Sequence, residues 1–170
     1  MTSQNNIFLI GLMGTGKTTV GRQLARKLKM EFIDSDKVIE ERTGADIPLI
    51  FEKEGEAGFR KREVSIIDEL TQKKNIILAT GGGAILNAEN RSHLVSRGTV
   101  FYLKSNLKTL LARTSKNKNR PLLNTDEPAE DILKRLLAER GPLYEAAADH
   151  TIESANNSIH SVIHAIIKSL

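Results

Sequence analysis

The chain has 170 residues, enough for one domain with a substantial core and too few to make two the better expectation. It contains no cysteine, which excludes a disulfide framework and thiolate metal sites. Its net charge of +4, from 25 basic and 21 acidic residues, suits anionic ligands without demanding a nucleic-acid groove, and 4% aromatic residues with no Trp offer few platforms for stacking bases.

Ile7 to Ile10 form a short β-rich run that leads into Gly11-Leu12-Met13-Gly14-Thr15-Gly16-Lys17-Thr18, after which Val20, Leu24, Ala25 and Leu28 repeat at helical spacing. The eight residues fit G-x-x-x-x-G-K-[ST]. A strand feeding a glycine loop and a helix N-terminus turns successive backbone N–H groups around a phosphate, and the helix adds about half a positive charge there. Gly14, Thr15, Gly16, Lys17, Thr18 and Thr19 are therefore expected to hold a nucleotide, with Lys17 on the β/γ-phosphates and the Thr18 hydroxyl on magnesium.

A second strand at Phe32-Ile33 is followed by Asp34-Ser35-Asp36. In a parallel sheet both carboxylates reach the edge that carries the phosphate loop, where one can hold a magnesium-bound water and the other can accept a hydrogen bond from the acceptor hydroxyl. The plainer alternative is that Ser35 or Asp36 caps a helix from Lys37 to Arg42. Gly58-Phe59-Arg60-Lys61-Arg62-Glu63 reads as the opening of a helix with Phe59, Ile66, Ile67 and Leu70 on its core face. Glu63, three residues on, can brace Arg60 for bidentate capture of an anion, although a solvated surface charge is the commoner fate of such an arginine.

The third strand, Ile76 to Ala79, ends in Thr80-Gly81-Gly82-Gly83-Ala84 with no acidic residue, which makes Asp34 the leading metal-side carboxylate. Three glycines there either form a tight turn or let a ligand approach bare backbone. Asn87 and Gly98 bound a helix, and Thr99 to Leu103 is the fourth strand. Thr114 to Asp126 is polar and basic, with Lys116, Lys118, Arg120 and Pro121, and is read as a lid that excludes water, a solvated loop being the alternative. Leu133, Leu136 and Leu137 lead to Arg140, with Gly141-Pro142 expected to stop that helix. Thr151-Ile152 is the fifth strand, and Ser158 to Leu170 is a terminal helix on the sheet. His160 and His164 lie on one helix face without acidic neighbours to complete a metal site. The N-terminal residues lack a leader's basic and apolar regions, and no apolar run approaches about 20 residues, so a cytoplasmic chain without a membrane or nucleic-acid partner is expected. Strands alternating with helices along one such chain make an α/β domain with a mainly parallel sheet.

Taken together, GLMGTGKT, FIDSD, GFRKRE, LATGGG, RPLL and ERGPLY, in this order and across about residues 5 to 168, resemble the shikimate kinase family. The resemblance implies a nucleoside-monophosphate-kinase-like, three-layer α/β/α fold with a five-stranded parallel sheet in the order 2-3-1-4-5. It also implies one kinase domain over residues 1–170, a shikimate-binding segment at about 35–62 and a mobile lid at about 114–126. ATP and shikimate are the implied substrates and Mg2+ the cofactor, with the chain expected to act as a monomer. Position by position, it implies Lys17 on the phosphates, Thr18 on magnesium, and Asp34 on a magnesium-bound water. Asp36 falls on the ring hydroxyls as a candidate base, Arg60 and Arg140 on the carboxylate, and Gly82 as an N–H donor. Arg120 crosses from the lid to the phosphates, and Arg113 stacks on adenine. The family often has a proline on the other adenine face, whereas Glu153 to Ser158 contains none. Rival readings are another small-metabolite kinase of this fold, such as a gluconate or nucleoside-monophosphate kinase, and a nucleotide switch or nucleic-acid-binding ATPase.

Overall fold

The computed structural model describes residues 5–114 and 125–170. Arg120 and most of the stretch expected to form a lid lie outside the described residues. Apolar positions on short strands of four to six residues build a sheet that is covered on both faces. The elements run β1 (Ile7–Ile10), α1 (Lys17–Leu28), β2 (Glu31–Asp34), α2 (Ser35–Thr43), α3 (Ile47–Thr71) and β3 (Ile76–Ala79). A 3-10 turn (Ala84–Leu86), α4 (Ala88–Arg97), β4 (Thr99–Lys104), α5 (Leu107–Thr114), α6 (Ala129–Ala147), β5 (His150–Glu153) and α7 (Ile159–Ser169) complete the order.

The five strands lie in the order β2-β3-β1-β4-β5, and every pairing is parallel. Phe8, Ile10, Leu78, Val100 and Tyr102 point to one face, where Ile39, Phe59, Ile67, Leu94 and Leu133 close the larger core. Ile7, Leu9, Ile77, Phe101 and Leu103 point to the other face, against Val20 and Leu24 of α1 and Val162 and Ile166 of α7. The three-layer α/β/α fold implied by the resemblance is the one observed. Its strand order reverses at β1, so the loop after β1 opens into the crevice where such sheets bind ligands.

Three local expectations are corrected. The helix after β2 is capped by Asp34, not by Ser35 or Asp36: Asp34 Oδ1 accepts from the Asp36 and Lys37 N–H groups at 2.9 and 3.3 Å. The helix that holds Gly58 opens just after Gly55, three residues before Gly58 itself. The helical stretch starts at Ile47, where the Asp46 carboxylate accepts from Leu49 N–H at 3.0 Å, and it breaks at Gly55, whose φ of 72° and ψ of 175° are not helical. Nor does Gly141-Pro142 end α6, which runs on to Ala147. Gly141 has no β-carbon to clash with the proline ring, which relaxes the usual restriction on the residue before proline. Beyond it, Tyr144 stacks on Tyr102 of β4 at 5.0 Å between ring centroids and donates its hydroxyl to the Gly82 carbonyl, so tertiary contacts hold the last turn in place.

Candidate functional site

The loop between β1 and α1 has Gly11, Gly14 and Gly16 at φ of 146°, 83° and 91°, conformations that side chains rarely adopt. A β-carbon on Gly11 would sit 2.6 Å from the Leu103 carbonyl oxygen, so the loop can press against β4 only with glycine there. Thr15 is buried and ties the loop to itself by donating to the Leu12 carbonyl at 3.0 Å. Gly16 caps α1 with no side-chain hydrogen bond. The first N–H groups of that helix therefore meet no capping side chain, as an anion-binding N-terminus requires. Lys17 folds back across the loop, Nζ donating to the Gly11 and Leu12 carbonyls at 2.6 and 2.8 Å.

A cavity of about 410 Å³ opens over this loop at the carboxyl edge of the sheet. Gly14, Gly16, Lys17, Thr18 and Thr19 line it together with Asp34, Asp36, Gly81, Gly82, Arg113 and Ile159. Thr18 Oγ1 donates to Asp34 Oδ2 at 2.9 Å. Arg113 donates to the Gly14 carbonyl at 3.1 Å, and its Nη1 and Ile159 Cδ1 each come within 3.8 Å of the point where a Gly16 β-carbon would lie. Ile159, the first residue of α7, thus faces the same region as Arg113 across the segment that lacks a proline. An isoleucine on an amphipathic helix signals only core, so spacing alone carries no sign of this position.

The glycines after β3 make room for charged side chains of the protein. A β-carbon on Gly83 would lie 2.2 Å from Arg60 Nη2, and one on Gly81 would lie 2.7 Å from Asp36 Oδ1 and 3.1 Å from Glu63 Oε2. Next to Gly82, Arg140 Nη1 lies 3.6 Å from the corresponding point. Asp36, Arg60, Glu63 and Arg140 therefore converge on one triplet, from α2, α3 and α6. Arg60 and Arg140 do not line the cavity above the phosphate loop; they stand beside it, around the triplet.

Neither Arg60 nor Arg140 is a freely solvated surface charge. Arg140 is 3% exposed, and its Nε and Nη1 have no hydrogen-bond partner among the described residues. A buried guanidinium left in that state is costly unless an anion completes it. Arg60 is held by Glu63 Oε1 at 3.0 Å and Glu56 Oε1 at 3.2 Å, the first being the brace expected from their spacing. Glu63 itself is 1% exposed. Burial pushes its carboxyl up to about 7 against the pull of Arg60, and Asp36 adds to the upward push. That a charged residue on a helix with an apolar face would be fully enclosed was not readable from its neighbours in sequence.

The donor set also bears on a metal. Among the described residues no group of three or more His, Cys, Asp or Glu residues could hold an ion. Thr18 and Asp34 instead present two hard oxygens side by side beside the phosphate loop, the kind of partial protein shell magnesium accepts when phosphates and water supply the rest. His160 and His164 are both exposed on α7.

A phosphate loop at the switch point of a five-stranded parallel sheet, with a cluster of arginines and carboxylates beside its cavity, defines a phosphate-loop kinase for a small anionic acceptor. The family model described as shikimate kinase matches residues 13–170. A shikimate kinase from Vibrio parahaemolyticus is 53% identical over 170 residues, covering all of this chain and 98% of that protein. The solved shikimate kinase from Acinetobacter baumannii in complex with shikimate is 50% identical, with a TM-score of 0.94 over 98% of this chain and 93% of that one. A gluconokinase from Sinorhizobium meliloti, at 14% identity and a TM-score of 0.58, shares the fold alone. The chain belongs to the shikimate kinase family, and so is an ATP-dependent kinase that phosphorylates shikimate in aromatic biosynthesis.

Proposed function

We propose that the chain transfers the γ-phosphoryl group of ATP to the 3-hydroxyl of shikimate, a step towards chorismate, with the residue roles that follow. The observation that carries the acceptor assignment is Arg140, a buried guanidinium with open hydrogen-bonding positions beside Gly82. A small carboxylate completes such a group, and Arg60 supplies the second guanidinium of a clamp. Asp36 lines the cavity where ring hydroxyls would lie, and it orients the attacking hydroxyl and accepts its proton. The Gly82 N–H donates to the acceptor.

On the nucleotide side, the loop from Gly14 to Thr19 holds the phosphates, and Lys17 exchanges its carbonyl partners for β/γ oxygens when they arrive. Arg113 and Ile159 flank the adenine. Thr18 and Asp34 are the residues that would hold Mg2+, Asp34 through water, and the ion when bound neutralises phosphate charge. Because phosphoryl transfer passes through a loose transition state, cations around the phosphates matter more than a strong base at Asp36. Arg120, outside the described residues, is assigned to that cationic set from the lid at 114–126. Residues 35–62 form the acceptor-binding segment of a single domain spanning 1–170. A monomer in the cytoplasm is proposed with it.

Product identification tests the assignment. Incubation with ATP, magnesium and a panel of shikimate, gluconate and nucleoside monophosphates should yield shikimate 3-phosphate and ADP. Phosphorylation of gluconate or a nucleotide instead, or release of inorganic phosphate alone, overturns it.

A further inference from the structure

The acceptor cluster already holds carboxyls beside its guanidiniums before any ligand enters. Two guanidiniums, Arg60 and Arg140, meet two carboxyls, Asp36 and Glu63, around Gly81 to Gly83. A carboxylate ligand adds a third negative group to this enclosed set. Guanidiniums stay protonated under all ordinary conditions, so only a carboxyl can respond by changing its charge.

Of the two, Glu63 is the one placed to respond. Asp36 lines the open cavity, whereas Glu63 is 1% exposed behind the triplet. Its Oε1 depends on Arg60 Nη1, and its Oε2 has no hydrogen-bond partner among the described residues while sharing the space above Gly81 with the Asp36 carboxylate. The charged and titratable groups facing it are Arg60 on its own helix, Asp36 from α2 and Arg140 from α6. Glu56 accepts from Arg60 Nη2, and Tyr144 stands near both arginines.

We propose that Glu63 is a proton-carrying positioning residue, so that shikimate binding is coupled to uptake of a proton by this side chain. The proposal rests on the shikimate reading above. Three changes on binding act in the same direction: a new negative charge arrives, Arg60 is drawn towards the ligand carboxylate, and water leaves. Each disfavours the ionised form of a buried carboxyl. Burial already holds this group up to about 7, so the proton exchange falls in the neutral range. Since the bound state prefers the protonated form, affinity is full below that value and weakens above it, by up to about tenfold per pH unit until the bound-state value is passed.

The test is titration calorimetry of the full chain with shikimate near neutral pH, in phosphate and in Tris, whose ionisation enthalpies differ widely. The observed enthalpy should rise with buffer ionisation enthalpy, by a clear fraction of one proton taken up per shikimate. In Glu63→Gln, which mimics the neutral acid, the slope should vanish and the affinity should lose its dependence on pH. A zero or negative slope in the wild type overturns the proposal, as does an unchanged slope in the variant, which would place the proton on Asp36 or elsewhere. If Glu63→Gln does not fold, Asp36→Asn takes its place: a proton-uptake slope retained in that variant supports Glu63 as the carrier, and a slope lost there overturns the proposal. Shikimate that produces no binding heat and no competition in any buffer refutes the acceptor reading itself, a result distinct from binding without proton uptake.

Discussion

Thr18 Oγ1 donates to Asp34 Oδ2 at 2.9 Å while Asp34 Oδ1 accepts from the first N–H groups of α2, so one carboxylate links the phosphate loop to a helix cap. The two duties can be separated. Asparagine caps helices about as well as aspartate, whereas alanine loses about 1 kcal/mol of cap stabilisation. Asp34→Asn should keep the melting temperature and lose most turnover, through the lost charge beside the metal position. Asp34→Ala should lose both. Thermal melts and steady-state kcat on the two variants check this, and full turnover in Asp34→Asn refutes the metal-side role.

Gly83 is reserved for Arg60. An alanine there puts a carbon 2.2 Å from Nη2, and the guanidinium, as the end of a flexible side chain, moves before the backbone does. Gly83→Ala should therefore fold yet weaken shikimate by about tenfold or more, roughly 1.4 kcal/mol, with the ATP KM nearly unchanged. Equal losses for both substrates in steady-state kinetics would show that the triplet, not the arginine, had been disturbed.

Stability should depend on pH through Glu63. Its folded-state value, pushed up to about 7 by burial, exceeds the ordinary 4.5, so between those values the folded chain binds more protons than the unfolded one. Stability from this group is then full at low pH and is lost as pH rises through about 7. Glu63→Gln removes that loss. The melting temperature of the variant minus that of the wild type should grow from about pH 5 to about pH 8; a difference that is constant or shrinks refutes the buried-acid assignment.

Ile159 should contribute to ATP alone. It lines the cavity with Arg113, beside Gly16. Ile159→Ala should raise the ATP KM several-fold, on the order of 1 kcal/mol for the apolar contact removed, and leave the shikimate KM as it was. Kinetics with each substrate varied in turn will show it, and an unchanged ATP KM removes Ile159 from the adenine site.

The sequence by itself determined the phosphate loop, the five strands and the place of most helices. Those features are local: the loop needs its own glycines, and period-two and period-3.6 patterns record which face of each element is buried. It also held Asp34 and Asp36 at the end of β2 and the Arg60–Glu63 pair, because the partners are three residues apart or fewer. Only the tertiary structure decided which charges are enclosed. Arg140 and Glu63 come from helices far apart in the chain, and nothing beside them in sequence distinguishes them from surface residues; their burial follows from α3 and α6 packing around the glycine triplet. The same holds for Pro142, where local propensity signalled a stop and packing by Tyr144 prevailed. A cluster assembled from three helices is a property of long-range contacts, and residue spacing carries no record of those.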